Sequence, residues 1–125
     1  MKIHRLAPIA AALGLAFIAA SAVAADSVKV GLIGTYSGPY ADYGRQFDAG
    51  VALYLKESGG TLGGKKAEII KKDTGGAAPD ASKRIAQELI VRDKVNFITG
   101  LDFSPNAYAI APLVTQAKIP TVVMN

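Results

Sequence analysis

The sequence predicts an α/β fold, a doubly wound open parallel sheet. Three observations carry this. Short, continuous apolar runs recur at residues 28–34, 67–72, 95–99 and 120–124; helical apolar spacing fills the intervals between them; and the two kinds alternate strictly, with no internal repeat or low-complexity linker.

The elements follow in order. Residues 28–34 read as a buried strand by their Val, Leu and Ile content, and 45–58 as a helix with Phe47, Val51, Ala52 and Leu55 on one face, stopped by Gly59 and Gly60. A second strand at 67–72 leads into a Gly-rich loop over 73–78. Pro79 and Asp80 then start a helix whose stripe of Ala81, Ile85, Ala86 and Leu89 needs a sheet beneath it. The third strand is 95–99, its loop 100–104, and the third helix 105–117 with Pro105 at its first position; Pro112 is expected to bend or interrupt it. Residues 120–124 begin a fourth strand with no closing helix after it. The expectation is therefore an incomplete sheet, either an N-terminal fragment or a truncated product, rather than a complete small domain.

Residues 1–25 carry the pattern of an export signal: Lys2, His4 and Arg5 at the start, an apolar core from Leu6 to Ala20, and Ala22, Val23, Ala24 and Ala25 as a small-residue cleavage site. Pro8 and the Ala-rich core argue against a membrane anchor. The chain has no cysteine, so neither a lipid-attachment thiol nor a disulfide is available, and a free periplasmic protein held by packing is expected. The net charge of +4 comes from 14 cations and 10 acids; removing Lys2 and Arg5 with the signal leaves 12 against 10, or +2. Lys65, Lys66, Lys71 and Lys72 cluster without interleaved aromatics, which reads as a solvated face, and no nucleic-acid partner is expected.

His4 is the only histidine and lies in the signal, so the rest of the chain has neither His nor Cys. That excludes Ser-His-Asp and Cys-His nucleophile systems, thiol chemistry and ordinary zinc sites, and no metal or cofactor is expected. Asp42, Asp73 and Asp102 lie in or near loops after strands and are conceivable as paired carboxylates; without a helper they read as turn formers or caps, and no enzyme is expected. The run GGTLGGKK at 59–66 satisfies part of a phosphate-loop pattern. Lys66 stands where Ser or Thr is needed, however, and the loop leads into a strand, so no helix N-terminus aims its amides at a phosphate.

Binding fits better than catalysis, because ligands of such sheets lie outside the carboxyl ends of the strands. The loop after the first strand carries Tyr36, Ser37, Gly38, Tyr40 and Tyr43, and Phe103 and Ser104 follow the third. Ser104 precedes Pro105 and Asn106 at a helix start, where its hydroxyl and the free amides of the first turn suit a carboxylate; a plain helix cap is an equal reading, and the two roles are compatible. The rings suit an apolar or aromatic ligand group, or packing on the base of their own loop. Tyr108, one turn into a helix, reads as core or surface.

Three stretches taken in order, VKVGLIGTYSGPYADYG, GGTLGGKKAEIIKKDTGGAAPDASKRIAQELI and VNFITGLDFSP leading to IAPLVTQAKIPTVV, resemble the N-terminal lobe of the periplasmic solute-binding proteins of ABC transporters, of the leucine/isoleucine/valine-binding type. The resemblance covers 27–125, giving a signal at 1–25 and a type I-like lobe at 26–125 with the second lobe absent. It implies two α/β lobes on hinge strands that close on a small solute and then dock on an inner-membrane ABC permease. By the same resemblance Ser104 helps hold the solute's carboxylate and Tyr43 contacts the ligand; the loop reading adds Ser37 and Phe103 to the expected ligand-binding residues. Phe103 stands where the family has smaller or sulfur-containing residues, and Pro105 where it has another hydroxyl residue; this extra aromatic surface suits an aromatic acid. The expected solute is an amino acid of the branched-chain type or a related small carboxylate such as an aromatic acid. The alternatives are a periplasmic ligand-sensing module of a signalling system, or a truncated product that does not bind.

Overall fold

The computed structural model describes residues 27–125, so the expected signal segment and its cleavage site lie outside the described residues. Strand β1 (Ser27–Gly34) is followed by a short 3-10 turn (Gly38–Tyr40) and helix α1 (Ala41–Glu57). A two-residue strand β2 (Thr61–Leu62), strand β3 (Lys65–Asp73), helix α2 (Pro79–Val91), strand β4 (Phe97–Gly100), helix α3 (Ser104–Ala117) and strand β5 (Thr121–Val123) complete the order. The sheet runs β2-β3-β1-β4-β5. β1 pairs in parallel with both β3 and β4, and β4 with β5, while β2 pairs antiparallel with β3.

The side-chain alternation of a strand assigns the two faces. Ile33 and Ile98 join Ile85, Ala86 and Leu89 of α2 and Ile110 and Val114 of α3 in one buried cluster. Gly31 belongs to this face, because a methyl group there would meet Leu89 Cδ1 at 2.8 Å. The residues one step along, Val30, Ile69, Phe97 and Thr99, face α1 instead. Helices therefore lie on both sides of the sheet, and the chain leaves β1 toward β3 on one side and returns past it to β4 on the other. The strand order reverses at β1 and β4, and the crevice belongs at their carboxyl ends.

Four local expectations are corrected. Helix α1 begins at Ala41 rather than Arg45, because the 3-10 turn feeds directly into it. Residues 59–66 are not a plain turn; they hold β2 and a hairpin in which Gly63 and Gly64 both take positive φ. Pro112 does not interrupt α3, which runs unbroken to Ala117. The carbonyl four residues earlier belongs to Tyr108, which is 80 % exposed, so the bond that proline cannot make is lost toward solvent, where water replaces it. Finally, the predicted stripe of α1 is only half-covered. Phe47, Val51 and Leu55 line an open apolar groove of about 310 Å³ with the sheet, and Ala52 is exposed.

Candidate functional site

Two sharp chain reversals build the site. At the end of β4, Gly100 has φ +98 and Leu101 φ +62, consecutive left-handed residues, and the Leu101 N–H donates to the Ile33 carbonyl at 2.7 Å. A Cβ on Gly100 would sit 2.1 Å from that carbonyl oxygen, so only glycine permits the approach. The reversal returns Asp102 beneath the end of β1, where its Oδ2 accepts the Thr35 N–H at 3.0 Å, and leaves Phe103 and Ser104 to start α3. At the end of β1, the Gly44 N–H donates to the Thr35 carbonyl at 3.0 Å. A Cβ on Gly44 would lie 2.4 Å from the Tyr36 ring, so glycine again lets the first turn of α1 press on its own loop.

These reversals bring together residues far apart in sequence. Tyr40 and Phe103 meet edge to face with ring centroids 5.3 Å apart at 72°, and Tyr43 and Phe103 at 5.9 Å and 74°. Tyr40 and Tyr43 lie 6.4 Å apart. Such tilted contacts follow from the ring quadrupole, each positive edge against a negative face. Tyr40 and Tyr43 remain 51 % and 45 % exposed, so the rings form an open wall rather than a sealed core. Ser104 is exposed beside that wall, and its Oγ accepts a hydrogen bond from Asn125 Nδ2 at 2.5 Å.

The other candidates fall elsewhere. Ser37 turns toward the loop after β3, where its hydroxyl bonds the Asp73 carboxylate. Asp73 Oδ1 also accepts the Tyr36 and Gly75 N–H groups at 2.9 and 2.8 Å. Burial pushes the Asp73 carboxyl up, but the bonds from Ser37, Tyr36 and Gly75 outweigh it and hold the group below the ordinary carboxylate range. Asp73 thus ties two loops together. Tyr36 leaves the wall: burial, then the neighbouring Asp48, push its phenol well above the usual value, and Lys71 Nζ stands 5.6 Å from its ring centre. Asp42 pairs with Arg45 at the surface. Among the described residues no cluster of three or more His, Cys, Asp or Glu is placed to hold a metal.

Asn106 and Asn125 were given no site role by the sequence, whereas Tyr40 was named among the rings of its loop. Tyr40 joins the wall because the 3-10 turn runs into α1, which sets Tyr40 and Tyr43 three residues apart on one side. Asn106 is fully buried in the first turn of α3; its Oδ1 accepts the Ala78 N–H at 2.8 Å and its Nδ2 donates to the Gly76 carbonyl at 2.9 Å, fastening α3 to the loop ahead of α2. Asn125 had no sequence signal at all. Chemically, the site offers a hydroxyl at a helix N-terminus for an anion and a three-ring wall for an apolar body.

Comparison with known proteins bears on the fold and the family. The periplasmic binding protein family model matches residues 27–124. The Leu/Ile/Val-binding protein homolog 6 of Brucella abortus is 44% identical over 114 residues, 91% of this chain and 29% of its own. A solute-binding protein of an ABC transporter from Rhodopseudomonas palustris BisB5, solved in complex with 3,4-dihydroxybenzoic acid, is 54% identical with a TM-score of 0.75, across 79% of this chain and 27% of that one. A second from R. palustris, in complex with 4-hydroxybenzoate, is 49% identical with a TM-score of 0.76, across 80% and 27%. The chain spans less than a third of the length of these relatives. With its parallel sheet, its strand-order reversal and the matched span of 27–124, the chain belongs to the periplasmic binding protein family.

Proposed function

We propose that this chain is the first-lobe half of the solute-binding component of an ABC importer, exported by a cleaved signal and working with an inner-membrane permease. Its solute is a small carboxylate, and an aromatic acid fits best. The observation that carries this reading is the juxtaposition of an exposed serine hydroxyl at the start of α3 with the wall of Tyr40, Tyr43 and Phe103. Ser104 meets the acid group and the rings meet the solute's own ring, with Tyr43 and Phe103 in direct contact; Ser37 serves by holding the neighbouring loop. The relatives crystallised with hydroxybenzoates, at about half identity, support the aromatic choice. A branched-chain amino acid is the second reading, favoured by the name of the Brucella relative.

One charge-assisted hydrogen bond of about 2 kcal/mol and two ring contacts of about 1 kcal/mol each amount to a Kd of roughly 1 mM for this half-site. Titration of the isotope-labelled chain with 4-hydroxybenzoate, followed by NMR, is expected to shift the amides of Tyr40, Tyr43, Phe103 and Ser104 with millimolar affinity. Leucine should bind more weakly, and Phe103→Leu should narrow the difference. Absence of shifts at these positions at saturating 4-hydroxybenzoate would refute the reading.

A further inference from the structure

We infer that Asn125 is a positioning residue for the solute's acid group, acting by fixing which way the Ser104 hydroxyl points. The inference rests on the reading of Ser104 given above and adds to it a residue that touches Ser104 rather than the solute.

The placement of Asn125 is set by its neighbours. The Met124 N–H donates to the Gly100 carbonyl at 2.7 Å, extending the β4–β5 ladder one residue past the end of β5. The Thr99 hydroxyl approaches Met124 Sδ at 3.1 Å and the Val122 carbonyl at 3.0 Å, so the end of β5 is held through backbone and side chain alike. Asn125 is thereby carried to the start of α3, 21 residues away in sequence, with Nδ2 2.5 Å from Ser104 Oγ.

The chemistry follows from the inventory of the two groups. A serine hydroxyl has one proton to give and two lone pairs to receive, whereas the amide nitrogen of asparagine only donates. With Nδ2–H occupying a lone pair on Oγ, the hydroxyl proton has no role toward Asn125 and is free to point into the crevice. A carboxylate accepts and never donates, so this is the orientation that it requires. The same bond draws electron density from Oγ and strengthens the proton as a donor. An unassisted hydroxyl would rotate freely until the carboxylate itself turned the proton toward it, losing that rotational freedom on binding.

The test uses the full chain with 4-hydroxybenzoate and its neutral amide, 4-hydroxybenzamide, as probes and NMR titration as readout. Asn125→Ala is expected to weaken 4-hydroxybenzoate about fivefold, the size of one ordinary hydrogen bond. Asn125→Asp is expected to weaken the acid further, because a carboxylate at this position captures the hydroxyl proton and repels the ligand. The same substitution should leave the amide probe unchanged or improved, since an amide can donate to the lone pair then exposed. A residue with a merely structural role would not invert that preference. In a Ser104→Ala background, Asn125→Ala should have no further effect. Equal losses for acid and amide, or an Asn125→Ala effect that persists without the Ser104 hydroxyl, would overturn the inference while leaving Ser104 as the ligand contact. Loss of binding only through a fall in melting temperature would overturn it likewise. No binding of either probe to the unaltered chain would overturn the proposed function, and this inference with it.

Discussion

Asn106→Ala removes a side chain that fastens the start of α3 to the loop between β3 and α2. The amide is fully buried, and its loss strands two backbone groups: the Ala78 N–H, which it accepts at 2.8 Å, and the Gly76 carbonyl, to which it donates at 2.9 Å. Each unsatisfied group costs about 1–3 kcal/mol, so a loss of about 3 kcal/mol is expected for the pair. For a domain of this size each kcal/mol moves the midpoint by about 4–8 °C, which places the expected fall in Tm at about 12–24 °C. Thermal and urea unfolding followed by circular dichroism measure it. Asn106→Asp sharpens the test, since one oxygen still receives the Ala78 N–H while the other faces the Gly76 carbonyl. That opposition raises the folded-state pKa of the new acid, so its penalty is full above that raised value, and its gap from wild type narrows as the pH falls from there toward the ordinary carboxylate value of about 4. A fall of less than about 4 °C for Asn106→Ala would mean that water replaces the amide, and the reasoning would fail.

Gly100→Ala drives a methyl group to 2.1 Å from the Ile33 carbonyl at a backbone φ of +98, so β1 and β4 must part; a loss above about 3 kcal/mol is expected by urea unfolding. Gly50→Ala, with nothing within 4 Å of its Cβ, should instead gain about 1 kcal/mol inside α1. Asp73 has a folded-state pKa below its unfolded value, so its contribution is fully present above about 3.9 and is lost as the pH drops toward the lower folded value. Asp73→Asn should therefore flatten the acid limb of a stability–pH curve, and an unchanged limb would contradict the loop tie.

The strands and helices were legible because each keeps one period over many residues: the Val, Leu and Ile content of β1, and the Ile85, Ala86 and Leu89 stripe that α2 buries. Residues without a period were not. β2 is two residues long and shows no alternation, and α1 starts without a capping side chain, so nothing at Tyr40 or Ala41 marks its beginning. At the site, Ser104, Phe103 and Tyr43 were visible as polar and aromatic residues after strands, and the structure gathers them beside one another. The separation of Tyr36 from Tyr40 was invisible, because it depends on Gly44 letting the helix press on the loop. Asn106 and Asn125 act across 28 or 30 and 21 residues, and a contact at such separation leaves no local pattern.

The bonds from Leu101 to Ile33, from Thr35 to Asp102 and from Tyr36 to Asp73 sew three loops onto the ends of their strands. Under the proposed function, a half-site stitched in this way would meet a solute with its main chain already held in place, so little conformational entropy would remain to be surrendered at encounter. Fine adjustment to solutes of different breadth then falls to the rotation of the two tyrosines that stand half in water.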